Sequence, residues 1–187
     1  MVGDGAARLV ARALEARPGA AVAESAALRR FLDLYEAAPT QLTHLYPGVA
    51  ETLAAFQDSG IALALCTNKP ERSTRQILEA LGIAACFGRV VAGDTLPWRK
   101  PDPRMLTHLL DATGVERTQA LLVGDSEVDA ETARSAGIAF VLMTYGYRRG
   151  PVETIPCLAA LDRFELLPTL LERLRAAPNL DTADSTA

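Results

Sequence analysis

Between residues 61 and 143 short apolar runs alternate with amphipathic segments of helical period, and this alternation is what most narrows the fold. The runs at 61–66, 89–92, 120–123 and 140–143 read as strands; segments at 71–81, 102–113 and 131–136 read as the helices between them. A further helix at 49–58 sets Val49, Leu53 and Phe56 on one face ahead of the first strand. Glycines close the helices: Gly60, Gly82, Gly114 and Gly137 follow their last periodic residues, and Asp102 with Pro103 marks a start. A βαβα rhythm of this kind predicts an α/β fold, with a parallel sheet joined by right-handed crossovers.

The first 45 residues break from that rhythm. Two helical segments, about 6–16 and 24–37, are rich in Ala, Leu and Arg, and Leu28, Phe31, Leu32 and Tyr35 form a stripe in need of a partner surface. Pro39 through Pro47-Gly48 reads as a linker. The expected organisation is a small helical unit over 1–45, an α/β core over 46–175 ending in a helix at 164–175, and a small polar, disordered tail over 176–187. Nineteen basic against 23 acidic residues, with no basic run, argue against nucleic acid as a partner. No apolar run approaches the roughly 20 residues that span a bilayer, and the N-terminus lacks a basic-then-apolar leader. A cytoplasmic protein with no membrane partner is expected. Cys66, Cys86 and Cys157 form no C-x-x-C pair and read as reduced core thiols; nothing local makes Cys66 a nucleophile with His44 or His108 as its base.

The polar residues that matter fall at the carboxyl ends of the expected strands, the edge where open parallel sheets bind ligands. Asp125 follows the 120–123 strand and Asp129 lies four residues on. On one helix face two such charges cost about 0.2–0.5 kcal/mol unless a cation lies between them, which points to half of a magnesium site. The alternative is that Asp125 or Ser126 caps the helix and Asp129 is solvated first-turn charge. Thr67-Asn68-Lys69-Pro70 follows the 61–66 strand, and its hydroxyl and amides suit an anion; an ordinary turn is the alternative. Lys100, in a loop stiffened by Pro101 and Pro103, could neutralise a phosphoryl group or be a solvated surface charge. Gly93-Asp94 reads as a turn.

Taken in order, these segments resemble the haloacid dehalogenase (HAD) superfamily of phosphatases, and within it the bacterial phosphoglycolate phosphatases. Thr67-Asn68-Lys69-Pro70 matches the family's second motif, Lys100-Pro101-Asp102-Pro103 the third, and Gly124-Asp125-Ser126 through Asp129 the fourth. Gly93-Asp94-Thr95-Leu96-Pro97 and Thr144-Tyr145-Gly146-Tyr147 also resemble segments of that group, and the likeness covers about residues 1–170. The resemblance implies a HAD-like Rossmannoid parallel sheet with helices on both faces, plus a remnant of an α-helical cap. It implies a magnesium-dependent phosphomonoester hydrolase acting through an aspartyl-phosphate on a small phosphorylated metabolite, 2-phosphoglycolate first, as a monomer or homodimer. Thr67, Lys100, Asp125 and Asp129 would be the catalytic residues. Thr67, Asn68 and Lys100 would hold phosphate; Asp125 and Asp129 would hold Mg2+.

One departure matters. The family's first motif, Asp-x-Asp-Gly-Thr, which supplies the attacking aspartate and the general acid, is absent, and Gly3-Asp4-Gly5 has neither the preceding strand nor the threonine to replace it. The expectation is an N-terminally truncated chain that begins inside the cap. By analogy its core lacks a strand between those ending at Thr67 and Gly124, leaving it marginally stable. The alternative is an inactive phosphate-binding fragment, or half of a split enzyme.

Overall fold

The computed structural model describes residues 5–17, 22–38 and 40–176. Two helices come first, α1 (Ala6–Glu15) and α2 (Glu24–Ala37), and they pack on each other. The α/β part follows as α3 (Val49–Asp58), β1 (Ala64–Cys66), α4 (Glu71–Ala80), β2 (Arg89–Val91), α5 (Arg104–Thr113), β3 (Leu121–Gly124), α6 (Glu127–Ala136), β4 (Ala139–Met143), β5 (Ala159–Leu161) and α7 (Leu167–Ala176). Every strand pairing is parallel, as the alternation predicts.

The pairings do not run continuously. β1 pairs with β2, β4 lies between β3 and β5, and no ladder joins β1 to β3, so the described strands form one sheet of two strands and one of three. The two are neighbours nonetheless. Leu63, just before β1, packs in a cluster with Leu121 and Val123, while Cys66 shares a different cluster with Leu122.

β4 shows what a central strand of this molecule looks like. Phe140 and Leu142 face α6 with Ala130, Ala133 and Ile155, whereas Val141 and Met143 face Phe56 of α3 and Leu167 of α7. Apolar side chains on both sides of the pleat are what helices on both faces of a parallel sheet require. A third cluster buries Met105, Leu106 and Leu109 of α5 against Val91, Ala136 and Ile138. A fourth sets Leu53 and Leu78 against Ile83.

Several expectations shift in detail. The first strand starts at Ala64, not residue 61, because the Ile61 amide is spent on the Phe56 carbonyl, closing α3. α5 starts at Arg104 with Pro103 at its cap position, and the Asp102 carboxylate accepts from the Arg104 amide at 2.9 Å. α6 begins at Glu127 rather than residue 131, since Ser126 caps it. β5 was not expected; Ala159-Ala160-Leu161 is too short to show a period, and only pairing with β4 makes it a strand. The final helix divides into a 3₁₀ turn, Phe164–Leu166, and α7, which includes Ala176. The tail expected from 176 otherwise lies outside the described residues. α2 is the least buried helix: its Phe31 and Tyr35 stripe is only half-buried and Leu34 is 56% exposed.

Candidate active site

Thr67, Asn68, Lys100, Asp125 and Asp129, expected from sequence to share one edge, all line a single cavity of about 320 Å³. Its floor is the carboxyl ends of β1 and β3, and its wall is Gly5, Ala6 and Leu9 of the α1 region with Phe31 and Tyr35 of α2.

The loop after β1 is shaped by its own short bonds. The Thr67 amide continues the ladder to the Val91 carbonyl, and the Thr67 hydroxyl accepts from the Lys69 amide at 3.1 Å, the turn that Ser and Thr favour at strand ends. Asn68 is 8% exposed and binds the Lys100 backbone reciprocally: its Nδ2 donates to the Lys100 carbonyl at 2.9 Å and its Oδ1 accepts the Lys100 amide at 2.8 Å. Asn68 therefore ties two loops together, besides any role toward a phosphate. The turn at Gly93 presses against the Asn68 carbonyl so closely that a β-carbon there would overlap it. Asp94, read as a turn residue, accepts from the Glu71 amide at 2.7 Å and so supplies α4 with a capping carboxylate from another loop.

Asp129 combines parts of both sequence readings. Ser126 and Asp129 form a capping box: the Ser126 hydroxyl accepts the Asp129 amide and Asp129 Oδ2 accepts the Ser126 amide at 3.2 Å, with a further bond from the Ser126 hydroxyl at 2.7 Å. Its other oxygen, Oδ1, takes the Lys100 ammonium at 2.6 Å, with both side chains nearly buried. Neither residue is the solvated surface charge that the alternatives pictured. Burial pushes the Asp129 carboxyl upward, but the Lys100 charge and hydrogen bond, with that of Ser126, outweigh it and leave it below the ordinary value. Asp125 goes the other way. Burial raises its carboxyl, and the Tyr147 amide, donating to Oδ2 at 2.6 Å, only partly offsets this. Gly146 passes so near Asp125 that no side chain fits there. Burial also lifts the Cys66 thiol to about 11, so it is protonated at neutral pH and no nucleophile.

With both Asp129 oxygens committed, Asp125 is the carboxylate left to face a cation. Among the described residues no three His, Cys, Asp or Glu side chains cluster as a metal cage. One hard oxygen donor whose ionised form is strained by burial still suits magnesium, which takes one or two carboxylates and completes its shell with waters and substrate phosphate. The donor set fits that ion: Asp125 would be its ligand, while Asp129 holds Lys100 and the turn.

Sequence reasoning missed part of the lining. Phe31 and Tyr35 were read only as a helix stripe, Leu9 only as part of a helical segment, and Lys69, Val128 and Tyr147 only as parts of motifs, none as lining. The half-stripe on α2 was the available signal. Trp98 and Tyr145 do not line the cavity: Trp98 carries the Arg104 guanidinium 4.3 Å from its ring centre, and Tyr145 tilts against Tyr46 at 4.3 Å.

A parallel sheet covered by helices, with a hydroxyl, a lysine and a carboxylate at the carboxyl ends of its strands, defines an α/β enzyme equipped for phosphoryl groups. Residues 12–143 match the family described as haloacid dehalogenase-like hydrolase. A phosphoglycolate phosphatase of Rhodospirillum rubrum is 47% identical over 193 residues, covering 96% of this chain and 80% of that protein. One from Cereibacter sphaeroides is 42% identical, covering 94% and 80%. A crystal structure of a predicted phosphoglycolate phosphatase from Haemophilus somnus superposes with a TM-score of 0.86 at 33% identity, covering 91% of this chain and 79% of that one. The chain belongs to the haloacid dehalogenase-like hydrolases and, within them, to the phosphatases. No helix among the described residues is long and apolar enough to cross a membrane.

Proposed function

We propose that this protein is a magnesium-dependent phosphomonoesterase whose substrate is 2-phosphoglycolate, with α1 and α2 as part of a cap (1–45) over the core (46–175). The observation that carries the reading is the convergence of Thr67, Asn68, Lys100 and Asp125 on one small cavity, together with relatives named phosphoglycolate phosphatase. The Thr67 hydroxyl donates to one phosphoryl oxygen. Lys100, fixed by Asp129 at 2.6 Å, turns its remaining N–H groups to others and offsets charge in flight. Asp125 would hold magnesium, which supplies charge neutralisation at the phosphoryl group when bound. Asn68 fixes the Lys100 backbone and so sets where that ammonium stands. The family's nucleophilic aspartate has no counterpart in the sequence.

The gap between β1 and β3 favours a second reading, in which these residues bind phosphate without turning it over, or form half of a split enzyme. Phosphate release from 2-phosphoglycolate with magnesium, measured on the 187-residue chain alone and after fusion to an apolar strand carrying Asp-x-Asp-Gly-Thr, separates the two. Release only in the fused form supports the first reading, and release by the 187 residues alone would overturn the need for that aspartate. Binding without release in either form supports the second reading, and rescue by the same segment as a separate peptide would identify the split form.

A further inference from the structure

Two lysines line the cavity, and they are differently committed. The Lys100 charge is matched by Asp129 at 2.6 Å. Lys69 has no carboxylate within ion-pairing distance among the described residues; its ammonium donates to the Tyr35 hydroxyl and stands 4.9 Å from the centre of that ring. Tyr35 is itself stacked on Phe31, ring centres 5.8 Å apart and planes within 8°. The aromatic pair therefore holds the lysine head at the cavity wall through the hydrogen bond to the Tyr35 hydroxyl. An ammonium has three donors, and the hydroxyl uses one. No further acceptor for Lys69 Nζ is found among the described residues.

A cation held in place with unused donors calls for an anionic group, and its position says which. Lys69 is two residues beyond Thr67, and its own amide is bonded to the Thr67 hydroxyl at 3.1 Å, so it borders the phosphoryl pocket. On the phosphatase reading Thr67, Lys100 and Asp125, which line the same cavity, already serve the phosphoryl group. We infer that Lys69, positioned by Tyr35, receives a second anion on the same small substrate, a carboxylate a few bonds from the phosphate. This rests on the phosphatase reading above and makes Lys69 the residue that distinguishes carboxylated phosphate esters from plain alkyl phosphates.

The test is the ratio of dissociation constants for 2-phosphoglycolate and ethyl phosphate, measured by calorimetry on the full chain with magnesium. A charge-assisted hydrogen bond corresponds to about a tenfold or greater preference for 2-phosphoglycolate in the parent protein. In Lys69→Met that ratio falls to near one, in Lys69→Arg most of it survives, and Tyr35→Phe gives an intermediate value. A ratio unchanged by Lys69→Met, or near one in the parent, overturns the assignment of Lys69 and leaves the phosphatase reading intact. If neither ester nor inorganic phosphate binds the parent, both readings fall. Because each ratio is taken within one variant, partial misfolding lowers both affinities without mimicking the effect.

Discussion

β4 and β3 are both short, apolar and parallel, yet they live in different surroundings. β4 has a strand on each side, and Phe140, Val141, Leu142 and Met143 are all buried at 5% exposure or less. β3 has β4 on one side and no ladder toward β1 on the other, and each of its residues, Leu121 to Gly124, is only half-buried. Sequence composition does not separate them; the number of neighbours does. Beyond the end of β3 a polar pin takes over part of the holding: Asp129, on the first turn of α6, meets both Lys100 and Ser126.

If that contrast holds, the largest effect of a single change falls on the pin. Asp129→Ala strands the nearly buried Lys100 charge and removes the capping box, and should cost about 3–5 kcal/mol in urea unfolding. A loss under about 1 kcal/mol would mean that water reaches Lys100 freely. Next comes the packing comparison itself. Leu142→Ala in β4 should cost about 2–5 kcal/mol, whereas Leu122→Ala in β3 should cost clearly less, because its site is already partly open. Equal losses would break the contrast. Ser126→Ala, which keeps the Lys100 pair but removes the cap, should cost about 1 kcal/mol by the same urea titration.

The smallest effects are those of pH, and they have opposite signs at the two aspartates. Asp129 has a lowered carboxyl, so its contribution is complete above the ordinary carboxylate value of 3.8 and disappears as pH falls through its lower folded value. The deficit of Asp129→Ala should therefore shrink only in strong acid. Asp125 has a raised carboxyl, so its ionisation opposes folding at neutral pH and ceases to do so below 3.8. Asp125→Asn should raise Tm slightly at pH 7 and leave it unchanged at pH 3, as thermal melts at the two values would show. Proton competition at the same group should also weaken any magnesium binding as pH drops toward 3.8.

What could be read in advance divides along the same line. The α/β class, the order of its helices and the strand-end positions of Thr67, Lys100 and Asp125 follow from local periodicity and turn chemistry, which neighbouring residues decide. The partner of Asp129 did not follow. Lys100 lies 29 positions away, and only the meeting of two loops converts a first-turn carboxylate into one end of a buried ion pair. Lys69 was hidden for the same reason, since Tyr35 is 34 positions distant on a helix whose stripe called for a partner surface without naming it. β5 and the true start of β1 depend on ladder partners and on a helix closure, neither of which a three-residue run can signal.

The unjoined edges of β1 and β3 also bear on time as well as on structure. Backbone amides of β4 sit inside a ladder on each side and should exchange with solvent deuterium only when the domain opens globally. Those of β1 and β3 that point across the seam are tied to no strand and should exchange through small, frequent openings. A molecule with one slow and one fast register at its centre would show two populations of amide lifetimes within a few residues of its candidate active site. Any strand that came to occupy the seam would report its arrival by merging them.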